Sequence, residues 1–209
     1  MTSPGDHKFL PLRSESDPLE DSWPEPDQQL FVSTSGIHGA RLAADPAERL
    51  WRMVRGFKTA ADLLVEETER TPHQRSDLVY PIVYSYRHSL ELAFKQLLAS
   101  HADNFGVGRS NLSHELQGLW QSCRKIIERA SPEDDRHLLE TITNLVAEFA
   151  AADATSQNFR YATSPKGQRI SLSLNAIELV ALRSTLAGVH NFLDVIDTVL
   201  TEVSDQSWQ

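Results

Sequence analysis

Three observations predict an all-α protein, a bundle of about five helices. Apolar residues recur at intervals of three and four along nearly the whole chain after residue 45. Cap, proline and acid signals open several of the stretches that carry this period. Only Arg169-Ile170-Ser171-Leu172-Ser173-Leu174 alternates with a period of two, and it is too short to compete.

The first helix starts at a box in which Asp45 caps, Pro46 takes the first helical position and Glu48 the third. Leu50, Met53, Val54, Phe57, Ala60, Ala61 and Leu64 then form one apolar stripe, which the Glu66-Glu67-Thr68-Glu69 run and Pro72 are expected to stop. A second helix covers Asp77 to Ser100 with Val83, Tyr86, Leu90, Phe94, Leu97 and Leu98 inward, and Pro81 leaves its start open. A loop holding Gly106 and Gly108 leads to a third helix, beginning near Asn111 or Ser113. Its stripe is Leu116, Leu119, Trp120, Cys123, Ile126, Ile127 and Ala130. Ser131-Pro132-Glu133-Asp134 repeats the cap, proline and acid pattern and opens a fourth helix. Leu138, Ile142, Leu145, Val146 and Phe149 should face inward before it fades at Asp153.

Residues 153–173 have no sustained period and contain Pro165 and Gly167, so they form the longest internal loop; such loops in compact domains often carry function. The last helix should open near Asn175, with Glu178 at its third position. Leu179, Leu182, Leu186, Val189, Leu193, Ile196, Leu200 and Val203 alternate spacings of three and four along it, a heptad seam. About 25 residues make a rod of nearly 40 Å, which either spans the bundle or serves a dimer.

Length and charge bound the rest. The chain has 209 residues, enough for one ordinary domain or a compact domain plus a tail. We expect an acidic, proline-rich, disordered or loosely docked arm over 1–44, the bundle over 45–204 and a tail over 205–209. Residues 1–45 hold eight acids against three bases and half of the ten prolines, which leaves a net charge of only −4 on the other 164 residues. The overall charge of −9 speaks against a protein that coats nucleic acid by bulk charge, and leaves a local site open. The single Cys123 excludes an internal disulfide and a Cys-rich zinc site. No window approaches 18 consecutive apolar residues and no charged-then-apolar run opens the chain, so a cytoplasmic protein without a membrane partner is expected.

The chain has no glycine-rich phosphate loop, no nucleophile elbow and no paired metal-ligand histidine motif. His88 and Glu91 have the spacing of half a carboxylate-bridged metal site. His137 and Glu140 share it, without an accompanying inward carboxylate pattern, so neither a metal nor a cofactor is expected. Arg87, Glu91 and Lys95 fall at i, i+4 and i+8, a ladder of alternating charge along one helix edge.

That ladder sits in a wider string, Leu90-Glu91-Leu92-Ala93-Phe94-Lys95-Gln96-Leu97-Leu98, followed after the glycine-bearing loop by His114-Glu115-Leu116-Gln117-Gly118-Leu119. Together they resemble the HEPN superfamily of helical bundles, in which an Ala/Leu-Glu-x-x-x-Lys-x-Leu-Leu core precedes a His-Asp-Leu-x-x-Leu element; Glu115 stands here in place of Asp. The match spans about 45 residues. Phe159-Arg160-Tyr161 in the long loop also looks like bacterial HEPN-like proteins of this size.

The resemblance implies a HEPN-like bundle, a homodimer, and in active members a metal-independent endoribonuclease of toxin, stress or phage-defence type. There Arg neutralises the scissile phosphate and His shuttles protons for an attacking ribose 2′-hydroxyl. Arg183 and His190, with six residues between them on the last helix, are the preferred catalytic pair; Arg109 and His114, with four between them, are the alternative. Ser184 and Ser110 follow these arginines where family motifs commonly carry Asn, Asp or His. Arg87, Glu91, Lys95, Arg160 and Tyr161 are candidate binding residues. A non-catalytic HEPN-like module that binds a nucleotide, RNA or a protein partner, such as an antitoxin or regulatory protein, is the other reading.

Overall fold

A computed structural model describes residues 26–34, 36–108, 114–131, 136–153 and 156–206. Its helices are α1 (Pro46–Arg70), α2 (Arg75–His101), α3 (Leu116–Ala130), α4 (Arg136–Ala152) and α5 (Leu179–Gln206), with a 3₁₀ turn at Pro72–Gln74. Among the described residues no strand forms, and Thr163 and Arg169 make one isolated antiparallel bridge. The chain divides after Arg41 into two units. The described part of the first is irregular, with Gly39 N–H bonded to the Gly36 carbonyl and Leu30, Phe31 and Ile37 exposed. Every helix belongs to the second.

At the start of α1 the Asp45 carboxylate accepts the Glu48 N–H at 2.7 Å, as its cap position requires. The acidic run does not stop the helix, which continues to Arg70. Thr71 N–H still reaches the Glu67 carbonyl, and the glutamates are answered by cations: Arg70 pairs with Glu66 and Glu67. The buried face is Ala61, Val65 and Thr68, lower along the helix than the expected stripe, and Met53 and Ala60 are exposed.

α2 starts at Arg75 and passes through Pro81. The N–H that proline lacks would serve only a carbonyl in the first turn, and its ring faces solvent. This helix packs along α1 and also against α3 and α5, which makes it the centre of the bundle. Val83, Tyr86, Leu90, Phe94, Leu97 and Leu98 are all buried as their spacing predicts. So, however, are Arg87, Ser89 and Glu91, because neighbours cover most of this central helix in its middle turns, where Tyr84, His88 and Lys95 stay partly exposed.

After α2, Gly106 in the left-handed region (φ 63°) turns the chain, so that the Val107 N–H returns to the Ala102 carbonyl. The α3 stripe is buried as expected, with Trp120 Nε1 donating to Thr143 of α4. The expected start of α3 and the Ser131-Pro132 opening of α4 fall largely outside the described residues. In α4 the buried row is Leu139, Ile142 and Val146, while Leu138 is 40% exposed, one position off the expected register. α5 begins four residues later than expected. Glu178 is its cap rather than its third residue, and its carboxylate accepts the Ala181 N–H. The seam residues Leu179, Leu186, Val189, Leu193, Ile196 and Leu200 are buried in the bundle. By length and composition α5 is apolar enough to cross a bilayer, and a third of that window is buried here.

Candidate functional site

Two polar clusters sit on different sides of α2. At 100° per residue, Tyr86 and Ser89 project about 60° apart, and Arg87 and Glu91 about 40° apart on another side. Each cluster holds part of what the sequence singles out.

The first gathers around Asp62 of α1. Its carboxylate accepts Tyr86 Oη at 2.6 Å and pairs with Lys58 at 2.7 Å and, more distantly, with Arg183 at 3.6 Å. Burial alone would raise the Asp62 carboxyl, and the bonds from Lys58 and Tyr86 outweigh it and hold the group below its ordinary value. Arg183 also donates to Glu66 at 2.7 Å, so two carboxylates of α1 answer its guanidinium. Seven residues on, His190 is 4% exposed and its Nε2 lies 3.0 Å from Ser89 Oγ. With the Ser89 hydroxyl proton given to the Tyr86 carbonyl, Ser89 Oγ accepts from His190 Nε2. Burial, with Lys58 nearby, pushes the His190 imidazolium down to about 4, and the ring is neutral at pH 7. Arg183 and His190 thus turn inward from one edge of α5, Arg183 onto the Asp62 and Glu66 carboxylates of α1 and His190 Nε2 onto Ser89 of α2. Asp197, one further heptad along, accepts from His101 Nε2 at 2.8 Å.

The second cluster gathers around Glu91, which is 1% exposed. Its carboxylate accepts Arg87 Nη1 at 2.9 Å, Lys95 Nζ at 2.8 Å and His114 Nδ1 at 2.8 Å. Burial would raise the Glu91 carboxyl; the bonds from Lys95, His114 and Arg87 overcome it and keep the group ionised, below its ordinary value. An ionised carboxylate only accepts, so His114 carries its proton on Nδ1 and the rest of the ring, 77% exposed, looks outward. Arg87, fully buried, joins three segments: it donates to Glu91, to the His114 carbonyl at 2.8 Å and to the Asp153 carbonyl at 3.3 Å, with the Asp153 carboxylate 3.5 Å away. Asp153 in turn accepts the N–H groups of Gln157 and Asn158, which fixes the start of the long loop.

That loop brings Arg160 and Tyr161 to the outer rim. The Arg160 guanidinium lies 5.1 Å from the centres of both the Tyr84 and Tyr161 rings and donates to Tyr161 Oη at 3.0 Å. Tyr84 is stacked on His88, 9° from parallel, and Phe57 of α1 meets both edge-on. Burial lowers the His88 imidazolium, with Lys95, Arg87 and Arg160 acting in the same direction and Glu91 opposing.

The structure therefore brings Arg87, Glu91, Lys95 and His114 into one network with Arg160 and Tyr161 anchored to it through Asp153, and holds Arg183 and His190 apart in another. Arg109 lies outside the described residues. Arg87 and Glu91 are buried struts rather than an open binding face. Among the described residues no group of three or more metal-ligating side chains assembles. The chain matches no protein-family profile, no curated protein and no solved structure.

Sequence reasoning passes over Tyr84 and Asp62, and reads His88 only as half of a metal spacing, Phe57 only as part of the α1 stripe and Asp153 only as the end of a helix. Tyr84 and His88 at i, i+4 were a legible signal for a shared face; Asp62 and Asp153 acquire their roles only from neighbours distant in the chain.

Proposed function

We propose that this chain is a HEPN-like, metal-independent endoribonuclease acting on single-stranded RNA, with His114 rather than His190 as its acid-base group. The observation that carries the reading is the Glu91–His114 pair: a buried carboxylate orients an exposed imidazole through Nδ1 and leaves its Nε2 edge for substrate. His190, by contrast, is covered and spends its Nε2 proton on Ser89.

In the proposed reaction His114 Nε2 accepts the proton of a ribose 2′-hydroxyl as that oxygen attacks the adjacent phosphorus. The bond to the 5′-oxygen of the next nucleotide breaks, and that oxygen leaves protonated. Glu91 holds the tautomer and stabilises the imidazolium that forms. Lys95, partly exposed on the same carboxylate, is the cation offered to the phosphate charge, since Arg87 is fully buried. Two copies sharing one cleft, as the resemblance implies, would supply a second His114 as the acid.

The test is cleavage of labelled single-stranded RNA in EDTA, with the product ends identified. The expected outcome is a 2′,3′-cyclic phosphate and a rate about 10²- to 10⁴-fold lower in His114→Ala. Equal cutting by wild type and His114→Ala, or a requirement for metal, overturns the reading. If no RNA is cut but nucleotides or RNA bind, the binding-module reading replaces it, and the Arg160 cluster favours that alternative because it needs no proton transfer.

A further inference from the structure

We infer that the row His88, Tyr84, Arg160 and Tyr161 is a nucleobase platform, on which a base of the bound strand stacks against Tyr161 while its phosphate meets the edge of Arg160. The inference rests on the ribonuclease reading for the identity of the strand, and on the row itself for binding.

Four planar groups follow one another here. His88 lies parallel to Tyr84, and Arg160 stands near the faces of Tyr84 and Tyr161. The inner members are held before any ligand arrives. Phe57 meets Tyr84 at 84° and His88 at 86°, which fixes both rings from the α1 side, and both are half-buried. The outer members are held by the loop: the Gln157 carbonyl accepts the N–H of both Arg160 and Tyr161, and Asp153 clamps the backbone just before them. Tyr161, 51% exposed, ends the row and presents aromatic surface to solvent.

The chemistry of such a row is selective. A guanidinium beside aromatic faces keeps the N–H groups it does not give to Tyr161 Oη for an anion and binds a phosphate oxygen in its plane, which a lysine ammonium does not reproduce. An exposed tyrosine face stacks on any base, so the platform is tolerant of sequence. In a chain of net charge −9 the bulk field repels a polyanion, so local stacking and one well-placed cation must supply the attraction. Lys95 and His114, bonded to Glu91 on the other side of His88 along α2, continue the polar surface from the platform toward the proposed acid-base group.

Binding is measured apart from cutting by using a 2′-O-methyl oligoadenylate of eight nucleotides, which keeps bases and phosphates but has no free 2′-hydroxyl. Fluorescence anisotropy in EDTA with the full chain should show binding that weakens about 5- to 150-fold in Tyr161→Ala, the range of one lost base stack. Tyr161→Phe, which keeps the ring and loses only the bond to Arg160, should bind more tightly than Tyr161→Ala, Arg160→Lys should bind more weakly than wild type, and an abasic oligomer of the same length should lose affinity as Tyr161→Ala does. Adenosine monophosphate competing as well as the oligomer would retain the platform and make a free nucleotide its source. Unchanged affinity in Tyr161→Ala, equal binding of the abasic oligomer, or no binding by wild type overturns the inference. Cleavage of ordinary RNA that persists in Tyr161→Ala with unchanged affinity sinks the platform and spares the ribonuclease; Tyr161-dependent binding without cleavage does the reverse.

Discussion

The two sides of α2 carry clusters of similar composition and opposite character. Around Asp62, acids, bases, a tyrosine and a histidine answer one another within the chain, and His190 is sealed in. Around Glu91, a more deeply buried carboxylate is surrounded by cations, yet one of its partners, His114, leaves most of its side chain in water. A histidine engaged with a buried neutral hydroxyl is a packing element. One engaged with a buried anion and exposed on its far edge keeps that edge in contact with solvent. Residue type does not separate the two cases, and position relative to the carboxylate does.

Breaking the strut under the open cluster gives the largest effect. Arg87→Met takes the buried guanidinium from Asp153 and leaves Glu91 only Lys95 and His114, and removing one partner of a buried ion pair costs about 3–5 kcal/mol. Urea unfolding should show that loss; a change below about 1 kcal/mol would mean that water already reaches the cluster.

Acid sharpens the comparison on the closed side. The folded chain holds His190 near 4 against an ordinary 6.5, so between those values the unfolded chain binds more protons. Stability supplied by neutral His190 is complete above pH 6.5 and is lost as pH falls through about 4, with a slope approaching about 1.4 kcal/mol per pH unit. His190→Gln should flatten the fall of the urea midpoint over that window. Glu91 acts lower, because its folded value lies under the ordinary 4.5: its contribution is present at neutral pH and disappears only as pH drops below that value. A wild-type midpoint constant from pH 7 to 4.5 would refute the placement of His190.

The smallest effects separate the histidine and arginine pairs by function. His114→Ala should change the unfolding free energy by no more than about 1 kcal/mol, since the side chain is exposed and Arg87 and Lys95 still hold Glu91. Arg183→Ala should cost less than about 1 kcal/mol, because a third of its side chain is in water and Glu66 is likewise exposed. A larger loss in either would show that the residue is structural.

The sequence made the bundle legible wherever local rules suffice: the Asp45 cap, the α3 stripe and the α5 seam are all read from spacing alone. It misplaced features that depend on neighbours. Leu139 faces in rather than Leu138 because the packing of α4 on α3 sets the register, and the stripe of five apolar positions in that helix fits two phases. The Glu66–Glu69 run continues α1 because Arg70 and Arg183 neutralise its first two members, and one of those arginines arrives from α5. The Arg87, Glu91 and Lys95 ladder reads as a solvated edge by its spacing, which carries no sign that α3 and the end of α4 close over it. His114 was legible as part of a pair; its distinction from His190 rests on Glu91, 23 residues away.

Arg87 also bears on the order in which the chain assembles. Its partners beyond its own helix lie 27 and 66 residues further along, whereas α1 and α2 meet across a turn of a few residues. Closing those long loops must precede any return from this cation, so the helical hairpin is expected to form while Arg87 is still hydrated. An interaction completed after the barrier governs escape from the native state rather than arrival at it. Arg87→Met is therefore expected to speed unfolding in stopped-flow traces while refolding keeps its rate, which makes this one guanidinium the clasp that sets how long the folded chain lasts.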